Sequence, residues 1–299
     1  MNFLHFYLPQ PILFHLGVIN VYWYGFLMAL AILAGLLVSV RVAKWHGVDK
    51  EIIYDLFFYV VIAGFIGARI FYILYNPEYF WQHPLDIFKI WQGGIAIHGA
   101  LIFGILAIIW FVRRMPPIET LHCNVSTMKN NFWLLSAIIA PGLALGQAIG
   151  RWGNYFNQEL FGRPTDLPWG IPIDLINRPA GFEQFTYFHP TFLYESVGDL
   201  TIFILLLLTH WFFAHNTRNG ERVTSNGQKP LNNHSLITHY SLLITLYLLL
   251  YSLLRFMIEF LRIDPTAGSI FGVRATMGLS LLIGVGVLLY WRAIFYLKR

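Results

Sequence analysis

Residues 132–159 read FWLLSAIIAPGLALGQAIGRWGNYFNQE, and this stretch decides the fold. From Phe132 to Ile149 it carries no Asp, Glu, Lys or Arg, a run close to the roughly 20 residues that cross a hydrocarbon core. It then meets Arg151, followed by Asn154, Asn157, Gln158 and Glu159. A charged side chain at the centre of a bilayer costs on the order of 3 kcal/mol on insertion scales, so an ionisable cluster at the end of such a span calls for a functional reason.

The same reading extends along the chain. Apolar runs recur at about Tyr22–Val40, Ile52–Tyr75, Gly93–Phe111, Thr191–Phe213, Tyr240–Leu261 and Ala275–Tyr290, which makes seven with the first. Hydrophobic residues form 57% of the 299 and charged residues 12%, a membrane-protein composition. The expectation is an all-α integral membrane protein of seven transmembrane helices, a single polytopic domain over residues 1–299.

A net charge of +5 would suggest nucleic acid in a soluble chain, but the basic residues sort by loop. Arg41, Lys44 and Lys50 follow the first span, Arg113, Arg114 and Lys129 the third, Arg218, Arg222 and Lys229 the fifth, and Arg292, Lys298 and Arg299 the last. The other loops hold chiefly Lys89, Arg163 and Arg178. By the positive-inside rule the N-terminus is expected outside and the C-terminus in the cytoplasm, with no nucleic-acid partner. The first twenty residues lack a basic leader and contain Pro9 and Pro11, so they read as an interfacial segment, not a cleaved signal. The long external loop, about 151–190, holds Pro164, Pro168, Pro172 and Pro179 and is expected to form a small Pro-rich cap with little regular helix. The loop at about 214–238, rich in Asn, Ser, Thr and Gly, is expected to be a flexible cytoplasmic linker.

Several polar residues inside the spans need an account. Tyr251, Arg255, Glu259 and Arg262 are spaced by four, four and three, which puts them on one helical face. Two readings stand: Arg255 and Glu259 neutralise each other as packing glue, or the surplus positive charge binds an anion such as a lipid phosphate. His98, flanked by Gly93, Gly94 and Gly99, reads either as a hydrogen-bonded core histidine or as a proton acceptor with room for substrate beside it. Arg69, Glu195 and Asp199 are expected to pair across helices as structural charges. Tyr22, Trp23 and Tyr24 read as an aromatic belt, with a hydroxyl at head-group depth. Gly142, Gly146 and Gly150 recur every four residues and are expected to let helices approach closely.

Together these residues resemble the bacterial prolipoprotein diacylglyceryl transferases. That family's signature, Gly-Arg-x-Gly-Asn-(Phe/Tyr)-x-Asn-x-Glu-x-x-Gly, is matched from Gly150 through Arg151, Gly153, Asn154, Tyr155, Asn157 and Glu159 to Gly162. The resemblance continues in Tyr22-Trp23-Tyr24-Gly25, Gly67-Ala68-Arg69, the glycine-flanked His98, His189-Pro190-Thr191 with Leu193-Tyr194-Glu195, and the Tyr251 to Arg262 series. Two departures are Ala100, where the family has a second glycine after the histidine, and Leu279, where it often has glutamine.

The resemblance implies an enzyme of the bacterial cytoplasmic membrane that moves a diacylglyceryl group from phosphatidylglycerol to the lipobox cysteine of preprolipoprotein signal peptides, working as a monomer. His98, Arg151 and Arg255 would be catalytic. Tyr24, Asn154, Asn157, Glu159, Gly162, Tyr251, Glu259 and Arg262 would bind substrate. The nucleophile belongs to the substrate, so the single cysteine, Cys123, is expected to be dispensable. No metal or other cofactor is expected, since the sequence offers no His-x-x-x-His or paired-cysteine set and no phosphate-binding glycine loop. The rival reading, an anion transporter using the same arginines, would call for repeat symmetry that the sequence does not display.

Overall fold

The computed structural model describes residues 2–17, 19–89, 93–115, 118–119, 124–125, 128–224, 233–263, 269–270 and 273–296. Cys123 and the middle of the linker, 225–232, lie outside the described residues, as do Lys298 and Arg299. The chain opens with a short helix α1 (Asn2–Phe6) and an antiparallel hairpin of β1 (Ile12–Leu16) and β2 (Ile19–Tyr22). Then come α2 (Trp23–Trp45), α3 (Lys50–Tyr75), the short α4 (Pro77–Gln82), a 3-10 turn at Pro84–Phe88, and α5 (Ile97–Arg114). A two-residue ribbon, β3 (Ile118–Glu119) with β4 (Asn124–Val125), precedes α6 (Met128–Phe156). The cap carries β5 (Ile171–Pro172) and β6 (Tyr187–Phe188), and is followed by α7 (Thr191–Thr224), α8 (Asn233–Glu259), a ribbon of β7 (Ser269–Ile270) and β8 (Val273–Arg274), and α9 (Ala275–Tyr296).

Helices α2, α3, α5, α6, α7, α8 and α9 are each long and apolar enough to cross a membrane, which agrees with the seven spans expected from hydropathy. Three boundaries differ from expectation. Helix α6 runs on to Phe156, so Arg151 and Asn154 are helical and the cap begins after them. Helix α7 extends to Thr224 and α8 starts at Asn233, so the linker is shorter than 214–238. Helix α8 ends at Glu259, and Arg262 lies beyond it in a bridge to Gly162 instead of on a shared helical face.

Helix α6 is the central element, packed on α2, α7 and α8, while α3 packs chiefly on α5. Its glycines work as their spacing suggests. Gly142 faces Gly35 of α2, Gly146 faces Ala31, and Gly150 lies near Met28. A Cβ on Gly142 would fall 2.7 Å from Ser39 Oγ and closer still to the carbonyl oxygen of Gly35. Gly142→Ala is therefore expected to push α2 from α6 and lower stability by about 1–3 kcal/mol, the usual range for overpacking. An unchanged melting temperature in detergent would contradict it.

Pro141 interrupts the α6 ladder and has no N–H for the carbonyl of Ala137. His210 of α7, fully buried, approaches that carbonyl with Nε2 at 3.0 Å. The carbonyl only accepts, so Nε2 carries the proton and His210 Nδ1 accepts from His46 Nε2 at 2.8 Å. His46 Nδ1 then accepts from the Tyr240 hydroxyl at 3.2 Å. One proline is thus repaired by a buried chain of three side chains, from α7, α8 and the residue just after α2, none of which stands out in the sequence.

Buried apolar residues form three clusters. The base unites Val42, Ile53, Leu56, Val112, Leu134, Ile138 and Leu243, and is where α3 and α5 join the bundle. A middle cluster holds Ala140, Ala144, Ile202, Leu206 and Tyr247. The cap cluster holds Leu4, Tyr155, Phe161, Ile171, Ile173, Phe188 and Phe192. Among the described residues, helices α3 and α5 add none to the middle or cap clusters.

Candidate active site

Because successive spans alternate in direction, the start of α2, the end of α3, the start of α5, the end of α6, the start of α7 and the end of α8 share one end of the bundle. Every residue expected at the site falls there. Arg151 and Arg255 meet on Glu195 of α7, a carboxylate only 3% exposed. Arg151 Nε lies 2.5 Å from Glu195 Oε2, and Arg255 Nη1 bonds Glu195 Oε1. Arg255 also reaches Glu259 Oε2 at 3.5 Å, and Arg151 Nη2 meets the Tyr251 hydroxyl at 3.4 Å. Asp199, one turn along α7, is fully buried, makes no side-chain hydrogen bond among the described residues, and adds its field to both arginines.

This geometry explains why α6 continues through Arg151. A hydropathy reading treats the charge as the end of a span, whereas an opposite charge on α7 offsets part of the penalty inside the bundle. It also corrects two expectations. Arg69 does not pair with Glu195 or Asp199, because α3 packs on α5 and not on α7. Its guanidinium is taken up by carbonyl oxygens of Asp86, Ile87, Gly93 and Gly94. Nor do Arg255 and Glu259 neutralise each other alone, since Glu195 of α7 also takes Arg255 Nη1 while holding Arg151; its role was hidden because nothing in chain order connects it to residue 151 or 255.

The rest of the signature forms a turn after α6. Glu159 accepts from Asn154 Nδ2 at 2.8 Å and Asn157 Nδ2 at 3.4 Å, and its own N–H donates to the Asn154 carbonyl at 3.0 Å. Gln158 and Leu160 on either side have φ of 52° and 57°. Such left-handed residues carry strain that the surroundings must hold. Gln158, seen in the sequence only as part of the polar cluster, does so for the first: its amide donates to Pro9 O and Asp174 Oδ2 and accepts from Asp174 N–H and Asn177 Nδ2. Thr191 Oγ1 bonds the Leu160 carbonyl and holds the second.

Gly162 is a crossing point. Its N–H donates to His189 O at 2.9 Å, it bridges Arg262, and a Cβ there would crowd His189, Leu261 and Thr191. This close packing accounts for a glycine at this place in the signature. Burial draws the His189 imidazole below its ordinary pKa. Tyr24 lies flat against Gly153, where a Cβ would meet its ring at 2.7 Å, and feels the charges of Glu159 and Arg151.

His98, in the first turn of α5, is exposed, with the Tyr75 ring 6.5 Å away edge-on. Among the described residues no hydrogen bond joins it to Arg151 or Arg255; His98 stands on the α3–α5 pair, and the arginines stand on α6 and α8. Among the described residues no cluster of His, Cys, Asp and Glu stands at metal-binding spacing.

The comparisons with known proteins agree with this architecture. A family model described as prolipoprotein diacylglyceryl transferase matches residues 11–292. The phosphatidylglycerol-prolipoprotein diacylglyceryl transferase of Trichormus variabilis is 47% identical over 201 residues, 67% of this chain and 66% of the relative. Those of Synechocystis sp. and Synechococcus elongatus are 43% and 42% identical over 215 residues, each covering 72% of this chain and 70% and 69% of the relatives. The chain thus spans about two thirds of the length of the curated relatives it matches. With the family model covering nearly all of the sequence and the signature helix at the centre of the bundle, the chain belongs to the prolipoprotein diacylglyceryl transferase family.

Proposed function

We propose that this chain transfers the diacylglyceryl group of phosphatidylglycerol to the thiol of the lipobox cysteine in preprolipoprotein signal peptides, releasing glycerol phosphate, as the first step of bacterial lipoprotein maturation. The observation that carries the reading is the meeting of Arg151 and Arg255 on one carboxylate within a membrane span. Two permanent cations there form a seat for an anionic head group, and cations already in position stabilise charge that grows on a leaving phosphate.

The step balances without a cofactor. The thiol, of pKa about 8.5 when free, is mostly protonated at neutral pH. On this reading His98 takes its proton, the sulfur forms a bond to the glyceryl carbon, and the carbon-oxygen bond to phosphate breaks. The phosphate leaves with its electron pair held by Arg151 and Arg255. Asn154, Asn157 and Glu159 orient the head group, with Tyr24, Tyr251, Glu259 and Arg262 around it and Gly162 fixing the turn. That His98 and the arginines stand on different helices fits a substrate lying between them. That α3 and α5 join only the base cluster fits lateral access from the bilayer for lipid and signal peptide. The loop charges support an N-out, C-in orientation in the bacterial cytoplasmic membrane, with this end of the bundle facing outward.

The direct experiment is transfer from labelled phosphatidylglycerol to a synthetic lipobox peptide by purified protein, alongside a peptide with serine in place of cysteine. Label on the cysteine peptide alone, with glycerol phosphate released, is the expected result. No transfer by folded protein would return the arginines to a binding or transport role. In the same assay His98→Gln is expected to lower turnover by about 100- to 10,000-fold, the span of a lost general base; near-normal turnover would remove His98 from that role.

A further inference from the structure

Three consecutive residues at the site end of α3 grip three successive points of the segment leading to His98. Gly67 packs against Gly99 so closely that a Cβ on Gly99 would collide with the carbonyl oxygen of Gly67. The carbonyl of Ala68 accepts from Ala96 N–H at 3.0 Å. The Arg69 guanidinium donates from Nη1 to Gly93 O at 2.9 Å and Gly94 O at 2.8 Å, from Nε to Ile87 O at 2.9 Å, and from Nη2 to Asp86 O. Gly93 and Gly94 have φ of 85° and 77°, which turns their carbonyls toward the arginine. A Cβ on Gly94 would lie 2.5 Å from the Tyr72 ring and 2.7 Å from Arg69 Nη1, so a side chain there would push against the guanidinium. The Tyr72 and Phe80 rings sit 5.7 and 5.3 Å from the guanidinium carbon.

We infer that Gly67, Ala68 and Arg69 form a three-point clamp and that Arg69 is the positioning residue that fixes His98 in the site. A fork of donors in fixed geometry can hold several carbonyls at once; an ammonium is a point charge and cannot match that pattern. Of the described residues before α5, Lys89 and Gly93 to Ala96 belong to no helix or strand, and those at 93–96 are held by Arg69 and by the Ala96 bond. Held this way, the first turn of α5 presents His98 at a constant height. A displacement of about 1 Å is enough to lower turnover 100-fold in a site that works by alignment.

The inference rests on the reading of His98 as a reacting group, and the test separates the two. Arg69→Lys is compared with His98→Gln and with the double variant in full-length protein, measuring kcat and KM for phosphatidylglycerol together with amide hydrogen exchange over residues 86–99. The expected result is a fall in kcat of about 10- to 100-fold for Arg69→Lys with KM within about twofold, faster exchange at residues 93–99, and a double variant no slower than His98→Gln alone. Independent, multiplicative losses in the double variant would overturn the clamp as a device for His98. If His98→Gln alone keeps near-normal turnover, the base assignment fails and exchange decides: lost protection at 93–99 in Arg69→Lys upholds the clamp, and unchanged protection overturns it. Should Arg69→Lys fail to fold, Gly94→Ala disturbs the same contact from the opposite side and is judged by the same measurements.

Discussion

Glu195→Ala is expected to lower turnover by more than about 100-fold and to destabilise the protein by about 3–5 kcal/mol, the cost of removing one partner from a buried ion pair. Glu195 is only 3% exposed, and each of its oxygens serves a different arginine. Without it Arg151 and Arg255 face each other across a low-dielectric interior, where like charges repel far more than in water. Glu259 engages Arg255 at 3.5 Å and cannot bridge to Arg151 in the same way, being on the helix of Arg255 itself. Glu195→Gln keeps the shape and one acceptor oxygen, so its stability loss should be smaller while turnover still falls. Melting temperature and lipid-transfer rate of the purified variants check this together. Wild-type turnover in Glu195→Ala would mean that the arginines are organised by something other than this carboxylate.

The seven spans were legible because each is a long run with few charges, and the close helix approach was legible because Gly142, Gly146 and Gly150 repeat at the spacing of a helical face. The signature around Arg151 was legible as a cluster for the same reason it is costly, namely that polar groups at the end of a span stand out. What could not be read were the partners across helices. Local periodicity says which residues share a face, but not which face meets which. Arg69 was therefore matched to Glu195 and Asp199, whereas it fills its donors with carbonyls of its own neighbourhood. The buried His46–His210–Tyr240 chain was likewise invisible, because it depends on the Ala137 carbonyl left open by Pro141. Arg262 looked helical by spacing alone, and the bridge to Gly162 draws it away.

Arg255→Lys is expected to lower kcat by about 100- to 1,000-fold, the loss seen when one donor to a developing oxyanion is removed, and to change KM for phosphatidylglycerol far less. Among the described residues the guanidinium uses Nη1 for Glu195 and Nη2 for Glu259, and on the proposed reading its Nε edge takes a substrate oxygen. A lysine keeps the charge, but with three donors on one nitrogen it cannot hold two carboxylates in these positions and also present a donor in a fixed direction. Ground-state attraction to the phosphate survives, since it depends mainly on charge, whereas stabilisation of the leaving group depends on alignment and does not. The division between kcat and KM is therefore the informative readout. If KM rises while kcat is unchanged, Arg255 only holds the incoming lipid. If Arg255→Ala weakens folding but leaves turnover intact in the protein that survives, Arg255 has no role on the phosphate, and Arg151 alone carries the leaving group.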